Sequence, residues 1–259
     1  MGAPMDLGYM VAGLAVGFIV GLTGVGGGSL MTPILLWFGI SPATAVGTDL
    51  LYAAVTKAGG VVVHHKQRHI DWRITWHLSL GSVPAALLTL GLLSWLHVPA
   101  QVMDALFRFV LGLALLLTAF AILFKPWLLK VGGHHAAKLG AGGRWWPTAL
   151  IGVMLGVLVT LSSIGAGALG TLALFMLYPA LPTTRLVGTE IAHAVPLTLV
   201  AGLGHAGMGH LDWVLLLKLL SGSLPGIWLG SRLAGRLSDH WLRPALAVML
   251  ALAGGKLVL

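Results

Sequence analysis

Six apolar runs, at 43–63, 74–97, 105–124, 187–204, 213–231 and 241–259, are each long enough to cross a bilayer as a helix. A crossing needs about 20 predominantly apolar residues at a rise of about 1.5 Å each. In lipid every backbone polar group must be satisfied within the protein, which leaves helices and closed barrels as spanning solutions. Continuous apolar runs without alternation select helices. What remains cannot build a water-exposed globule: 58% of the 259 residues are hydrophobic and only 8% are charged, against about a quarter charged in soluble domains. The expected fold class is all-α, a polytopic transmembrane helical protein of the cytoplasmic membrane.

Two further apolar stretches, 7–38 and 148–180, are interrupted by glycines, in "TGVGGGS" at 23–29 and in "SSIGAGALG" at 162–170. The sizeable polar connection, 125–147, contains "KPWLLKVGGHHAAKLGAGGRWW" and reads as a loop with interfacial tryptophans. The first ten residues, "MGAPMDLGYM", carry no Lys or Arg ahead of the apolar run, which argues against a cleaved signal peptide. No cysteine is present, so disulfides and thiolate metal sites are excluded. A net charge of +8 would suggest nucleic acid in a soluble chain. Here it is loop charge that fixes orientation, and no nucleic-acid partner is expected.

The chain repeats itself. Residues 47–84 align without a gap to residues 188–225 at an offset of 141, with 11 of 38 positions identical. Gly47-Thr48 meets Gly188-Thr189, His64 meets His205, His69 meets His210, Asp71-Trp72 meets Asp212-Trp213, and "GSVP" meets "GSLP". Upstream, at an offset of 139, Gly26 and Gly28 meet Gly165 and Gly167. Shared hydrophobicity alone would not keep these polar pairs in register, so the sequence reads as a duplication: 1–124, the loop 125–147, and 148–259.

Loop charge sets the relative orientation. The loop 64–73 carries Lys66, Arg68 and Arg73, whereas its counterpart at 205–213 has no Lys or Arg; the next connections reverse the pattern, 97–104 having none and 231–243 having Arg232, Arg236 and Arg243. By the positive-inside tendency, equivalent loops lie on opposite sides and the repeats are inverted. With 125–144 and Arg185 both cytoplasmic, 148–180 must return to the side it entered, as a hairpin of two helices each about half to two-thirds of membrane length. By symmetry 7–38 does the same from outside.

Broken helices are tolerated in a membrane where they are buried or line a wet cavity, and in inverted-repeat transporters they mark the binding site. A helix starting just after the glycines directs N–H groups and the positive end of its dipole at the break, which favours an anion. The candidate anion-binding residues are Thr23, Gly24, Gly26, Gly27, Gly28, Thr48 and Lys57 in the first half, and Ser162, Ser163, Gly165, Gly167 and Thr189 in the second. Close helix packing is the competing role for the glycines, and snorkelling to the interface is the competing role for Lys57. Asp49 and Glu190 occupy equivalent positions near helix starts, where a carboxylate either caps the helix or carries protons. His193 follows Glu190 by three residues on the same helix face and completes a candidate proton-coupling set.

The loop histidines lack carboxylate or thiolate companions, so no metal is assigned and no cofactor is expected. Neither a Ser/His/Asp nor an HExxH arrangement appears, which argues against an intramembrane enzyme. An anion channel, a permease for another small solute and a membrane assembly subunit stay as alternatives.

The glycine-rich first segment with Pro33, the run "ATAVGTDLLYAAVTKAGGVVVHHKQRHIDWR" at 43–73 and its echo at 188–213 resemble the TauE/SafE family of membrane permeases. The resemblance covers essentially the whole chain. It implies secondary transport of a small sulfur-containing anion, such as sulfite, sulfoacetate or a related sulfonate. The implied partners are that anion and the lipid bilayer, and a homodimer is left open. The second half departs from the pattern, with fewer glycines at its break and no proline equivalent to Pro33.

Overall fold

The computed structural model describes residues 3–23, 28–96, 99–125, 127–129, 144–233 and 239–258. The first half supplies α1 (Ala3–Thr23), α2 (Gly28–Trp37), α3 (Pro42–Lys66), α4 (Trp72–Trp95) and α5 (Ala100–Leu123). The second supplies α6 (Trp145–Ser162), α7 (Ala168–Leu177), α8 (Thr183–Gly207), α9 (Trp213–Leu233) and α10 (Asp239–Val258). No strand occurs among the described residues. Helices α3, α4, α5, α6, α8 and α9 are long and apolar enough to cross a bilayer, so the chain is a multi-pass integral membrane protein.

Local chemistry sets several boundaries. Ser41 caps α3, its hydroxyl accepting from the Thr44 N–H at 3.3 Å, and Pro42 opens the helix where its missing N–H costs nothing. Asp71 caps α4 by accepting from the N–H groups of Arg73 and Ile74 at 3.2 and 3.3 Å.

Both glycine-broken stretches fold back as hairpins, and their helices are unequal rather than two of similar part-length. The first helix is long, 21 residues in α1 and 18 in α6, while α2 and α7 have 10 residues each, or about 15 Å. In the second hairpin α6 continues until Ser163 turns left-handed at φ 58°, which is what places the break deep. The hydroxyls of Thr148 and Tyr178, 2.7 Å apart, tie the start of α6 to the end of α7. The rings of Tyr9 and Phe38, centroids 5.1 Å apart, do the same for α1 and α2.

Packing follows the internal repeat. Helix α1 lies on α9 and its counterpart α6 on α4, while the equivalent pairs α3–α8 and α5–α10 pack on each other. The long contacts are made by small residues. Gly13 and Gly17 of α1 face the backbone of Leu219 and Ser223 on α9, and Gly152 and Gly156 of α6 face that of Leu78 and Ser82 on α4. A side chain at any of them would overlap the partner helix, the small-residue contact expected where lipid cannot drive helices together.

Helices α3 and α8 are the most enclosed spans. The loop 64–73 leaves one end of α3, while His210 and Asp212 of the other histidine loop pack at its opposite end, on Gly47 and Thr48. Exposed tryptophans mark both ends: Trp72, Trp76, Trp145 and Trp146 at one, Trp37, Trp95 and Trp213 at the other. Amphipathic indoles concentrate at the headgroup level in this way.

Candidate functional site

The second break is built from three local features. The Ser162 hydroxyl donates to the Leu158 carbonyl at 2.6 Å and accepts from the Ile164 N–H at 3.2 Å, closing the end of α6. Gly165 lies at φ +117°, a conformation other residues rarely adopt. Its carbonyl accepts from the N–H groups of Gly167 and Gly170 at 2.8 and 2.9 Å, which starts α7. In the first break, Thr23 ends α1 and Gly28 begins α2, and Gly24, Gly26 and Gly27 lie outside the described residues, as does the Thr23 side chain.

Three charged side chains converge beside this break. Lys57 is only 6% exposed, and its ammonium donates to the Ala166 carbonyl inside the break instead of running to a helix end. Asp49, with no exposed surface, accepts from the Thr32 hydroxyl of α2. The Ser163 hydroxyl lies beside the same carboxylate. Glu190, 2% exposed, lies against the first turn of α7: a Cβ at Gly170 would be 3.1 Å from Glu190 Cγ and Oε1. Lys57 is within electrostatic reach of both carboxylates and of His193.

The cluster retains unused hydrogen-bonding capacity. Glu190 Oε1 and His193 Nδ1 are buried without a protein partner, and beyond the Thr32 bond the Asp49 carboxylate and the Ser163 hydroxyl have only each other. Buried polar atoms are nearly always paired, so this shortage of partners around one break calls for a functional account. A small oxyanion supplies acceptors for the Ser163 hydroxyl and the ammonium, and a proton on either carboxyl supplies a donor.

His193 and Tyr52 occupy equivalent repeat positions, and each reaches an equivalent serine. His193 Nε2 is 2.8 Å from Ser82 Oγ on α4, and Tyr52 Oη is 2.6 Å from Ser223 Oγ on α9. The serines are those of "GSVP" and "GSLP".

Thr48 and Thr189 turn elsewhere. The Thr48 hydroxyl accepts from the Asp212 N–H at 3.3 Å, and the Thr189 hydroxyl from the Asp71 N–H at 2.9 Å while donating to the Arg185 carbonyl at 2.7 Å. Each therefore fastens the histidine loop of the opposite half. Beside them, Gly47 faces the His210 carbonyl and Gly188 the His69 carbonyl.

Histidines in the last turns of α3 and α8, not in the connections themselves, pair with those of the following loops, His64 with His69 and the fully buried His205 with His210, with ring centroids 5.9 and 5.6 Å apart. Burial holds His210 below its ordinary pKa while the Asp104 carboxylate pulls it upward. Among the described residues no group of three or more potential metal ligands is gathered.

Asp49, Lys57, Ser163, Glu190 and His193 are thus brought together, and the break of Ser162, Gly165 and Gly167 frames them. Sequence reasoning missed Thr32, Ser82 and Gly170. Thr32 had a readable signal, since Thr171 stands at the same offset of 139 that relates the two breaks.

Comparison with known proteins gives the family. The chain is 38% identical to the probable membrane transporter protein YjnA of Bacillus subtilis over 255 residues, 98% of this chain and 100% of that protein. It is 29% identical to the probable membrane transporter protein YdhB of the same organism, over 92% of this chain and 94% of YdhB. A probable membrane transporter protein of Methanocaldococcus jannaschii, MJ0441, is 27% identical over 75% of this chain and 69% of its own. No solved structure matches the chain. The family model described as sulfite exporter TauE/SafE matches residues 9–257, and the chain belongs to that family.

Proposed function

We propose that this membrane transporter moves a small sulfur-containing anion, such as sulfite or sulfoacetate, by secondary transport coupled to protons, through the Asp49–Lys57–Glu190 cluster at the second break. The family description, sulfite exporter TauE/SafE, supports this class of solute. The cluster supports the mechanism, and the Lys57 ammonium on the Ala166 carbonyl is the observation that carries the reading.

Charge counting links the anion to protons. With both carboxyls ionised the three side chains sum to −1, and an entering monoanion such as hydrogensulfite makes −2, a dianion such as sulfoacetate −3, in a low-dielectric site where uncompensated charge is costly. With both carboxyls protonated, Lys57 and a monoanion make a neutral pair. Anion entry and proton entry therefore favour each other. The Ser82–His193 hydrogen bond orients an imidazole near Glu190 that can relay such a proton.

The halves are read as inverted repeats that alternate access to this cluster. Two equivalent cross-half fastenings, Thr48 with the Asp212 loop and Thr189 with the Asp71 loop, sit at opposite ends of the bundle and suit two gates of one design. Release of one while the other holds exposes the cluster to one side only.

Flux into proteoliposomes of purified protein tests the reading. Sulfite, sulfoacetate, taurine and sulfate are compared with and without an imposed pH gradient. Saturable flux of sulfite or sulfoacetate that accelerates with the gradient is expected, with zwitterionic taurine slower. A flux that never saturates and cannot be driven uphill would assign an anion channel instead.

A further inference from the structure

A separate cavity of about 240 Å³ opens where α4 and α6 begin and α7 ends, lined by Arg73, His77, Arg144, Trp145 and Tyr178. None of Asp49, Lys57, Glu190 and His193 lines it, and it opens at the end of the bundle carrying the positively charged loop 64–73. We propose that this cavity holds the phosphate of an anionic phospholipid headgroup.

Its basic side chains suit an oxyanion. Arg73 and Arg144 bring two guanidiniums, and the Arg144 guanidinium is stacked on the Tyr178 ring at 5.6 Å, which orients its donors. Asp71 is the acidic lining residue, and its charge is already committed. One oxygen caps α4, and the other accepts from Arg185 Nη2 at 3.1 Å. The cavity therefore keeps a net positive charge, with His77 adding a donor. Its volume is below the range of about 300 Å³ and more typical of whole organic ligands, and suits a glycerol phosphate fragment.

Its surroundings favour a lipid over a free anion. Trp72, Trp76, Trp145 and Trp146, each more than half exposed, place the opening at headgroup depth. Lys125, whose ammonium lies 4.4 Å from the Phe175 ring centre, adds positive charge at the same end of α7. Basic pockets between transmembrane helices on the cytoplasmic side are the usual places where acidic headgroups are held.

Native mass spectrometry of the full-length protein in detergent tests this with three probes: phosphatidylglycerol, phosphatidylcholine of the same chains, and glycerol 3-phosphate. Retention of phosphatidylglycerol above the other two is expected, falling about fivefold for each of Arg73→Gln and Arg144→Gln. Arg232→Gln, whose guanidinium stacks on Trp228 elsewhere, should retain it fully, and unchanged thermal melting shows that the variants are folded. Equal retention of the two lipids, or undiminished phosphatidylglycerol in a folded Arg73→Gln/Arg144→Gln protein, would overturn the proposal. Glycerol 3-phosphate binding as tightly as the lipid would overturn it too, and would give the cavity to a soluble anion. Flux is not read in this experiment, so its outcome is independent of the transported solute.

Discussion

Lys57 carries the sharpest claim at the scale of single residues. A snorkelling lysine can lose its charge at little cost, but this ammonium is buried, bonded to Ala166 and faced by two carboxylates. Lys57→Met should weaken sulfite or sulfoacetate binding by more than tenfold, the loss of about 2–5 kcal/mol expected when a buried charge partner is removed, and by more than Lys57→Arg does. Binding to detergent-purified protein at fixed salt measures this; a Met variant that binds like wild type removes Lys57 from the site. Asp49→Asn keeps an acceptor for the Thr32 hydroxyl, and Glu190→Gln keeps the shape beside Gly170, so both should fold. Both should also lose acceleration by a pH gradient, whereas residues that only cap helices would tolerate the amides. These three charges were legible in the sequence because ionisable groups inside apolar runs are costly and so stand out. Ser82 was not, and Thr32 only through its repeat partner Thr171, because a hydroxyl in an apolar helix usually bonds its own backbone. Thr56, Thr89 and Thr198 do so here, each donating to a carbonyl four residues back.

Among the elements, glycines serve different ends. Gly13, Gly17, Gly81, Gly152, Gly156 and Gly222 let helices touch, and Gly165 lets the chain turn. Gly165→Leu should abolish flux while leaving insertion intact, since a side chain at φ +117° is strained and would press on Leu158, 3.3 Å from its Cβ. Normal flux in a correctly inserted Gly165→Leu protein would reduce the break to a packing feature. Gly188→Val, aimed at the fastening of the 64–73 loop, should slow transport and lower the melting temperature, because its side chain meets the His69 carbonyl. Gly59, with open space around it, is the control; Gly59→Ala should be neutral or slightly stabilising. The hairpins themselves were readable from glycines inside apolar runs. Their unequal helices were not, because the point at which α6 stops depends on Ser163 adopting a left-handed conformation, and nothing in "LSSIG" separates that serine from its neighbour.

At the scale of the whole molecule, reciprocal packing of equivalent helices matches a register visible in the sequence, where Asp-Trp and Gly-Ser-x-Pro recur at one spacing. We read the repeats as inverted, and that reading predicts that single cysteines placed at 66 and 208, in a chain that has none, react from opposite sides of the membrane, with 66 cytoplasmic. Labelling from one side would remove the inversion. The solute was less legible than the fold, since a buried lysine, two acids and a broken helix specify a compact anion without distinguishing sulfur from other centres. If this cluster couples an anion to protons, a pH step alone should drive sulfite uphill. Proteoliposomes holding wild-type or Asp49→Asn/Glu190→Gln protein are given equal sulfite on both sides and a pH step across the membrane. Net sulfite accumulation is expected with wild type and none with the double variant; no accumulation with wild type, or the same accumulation with both, would contradict coupling through these carboxyls.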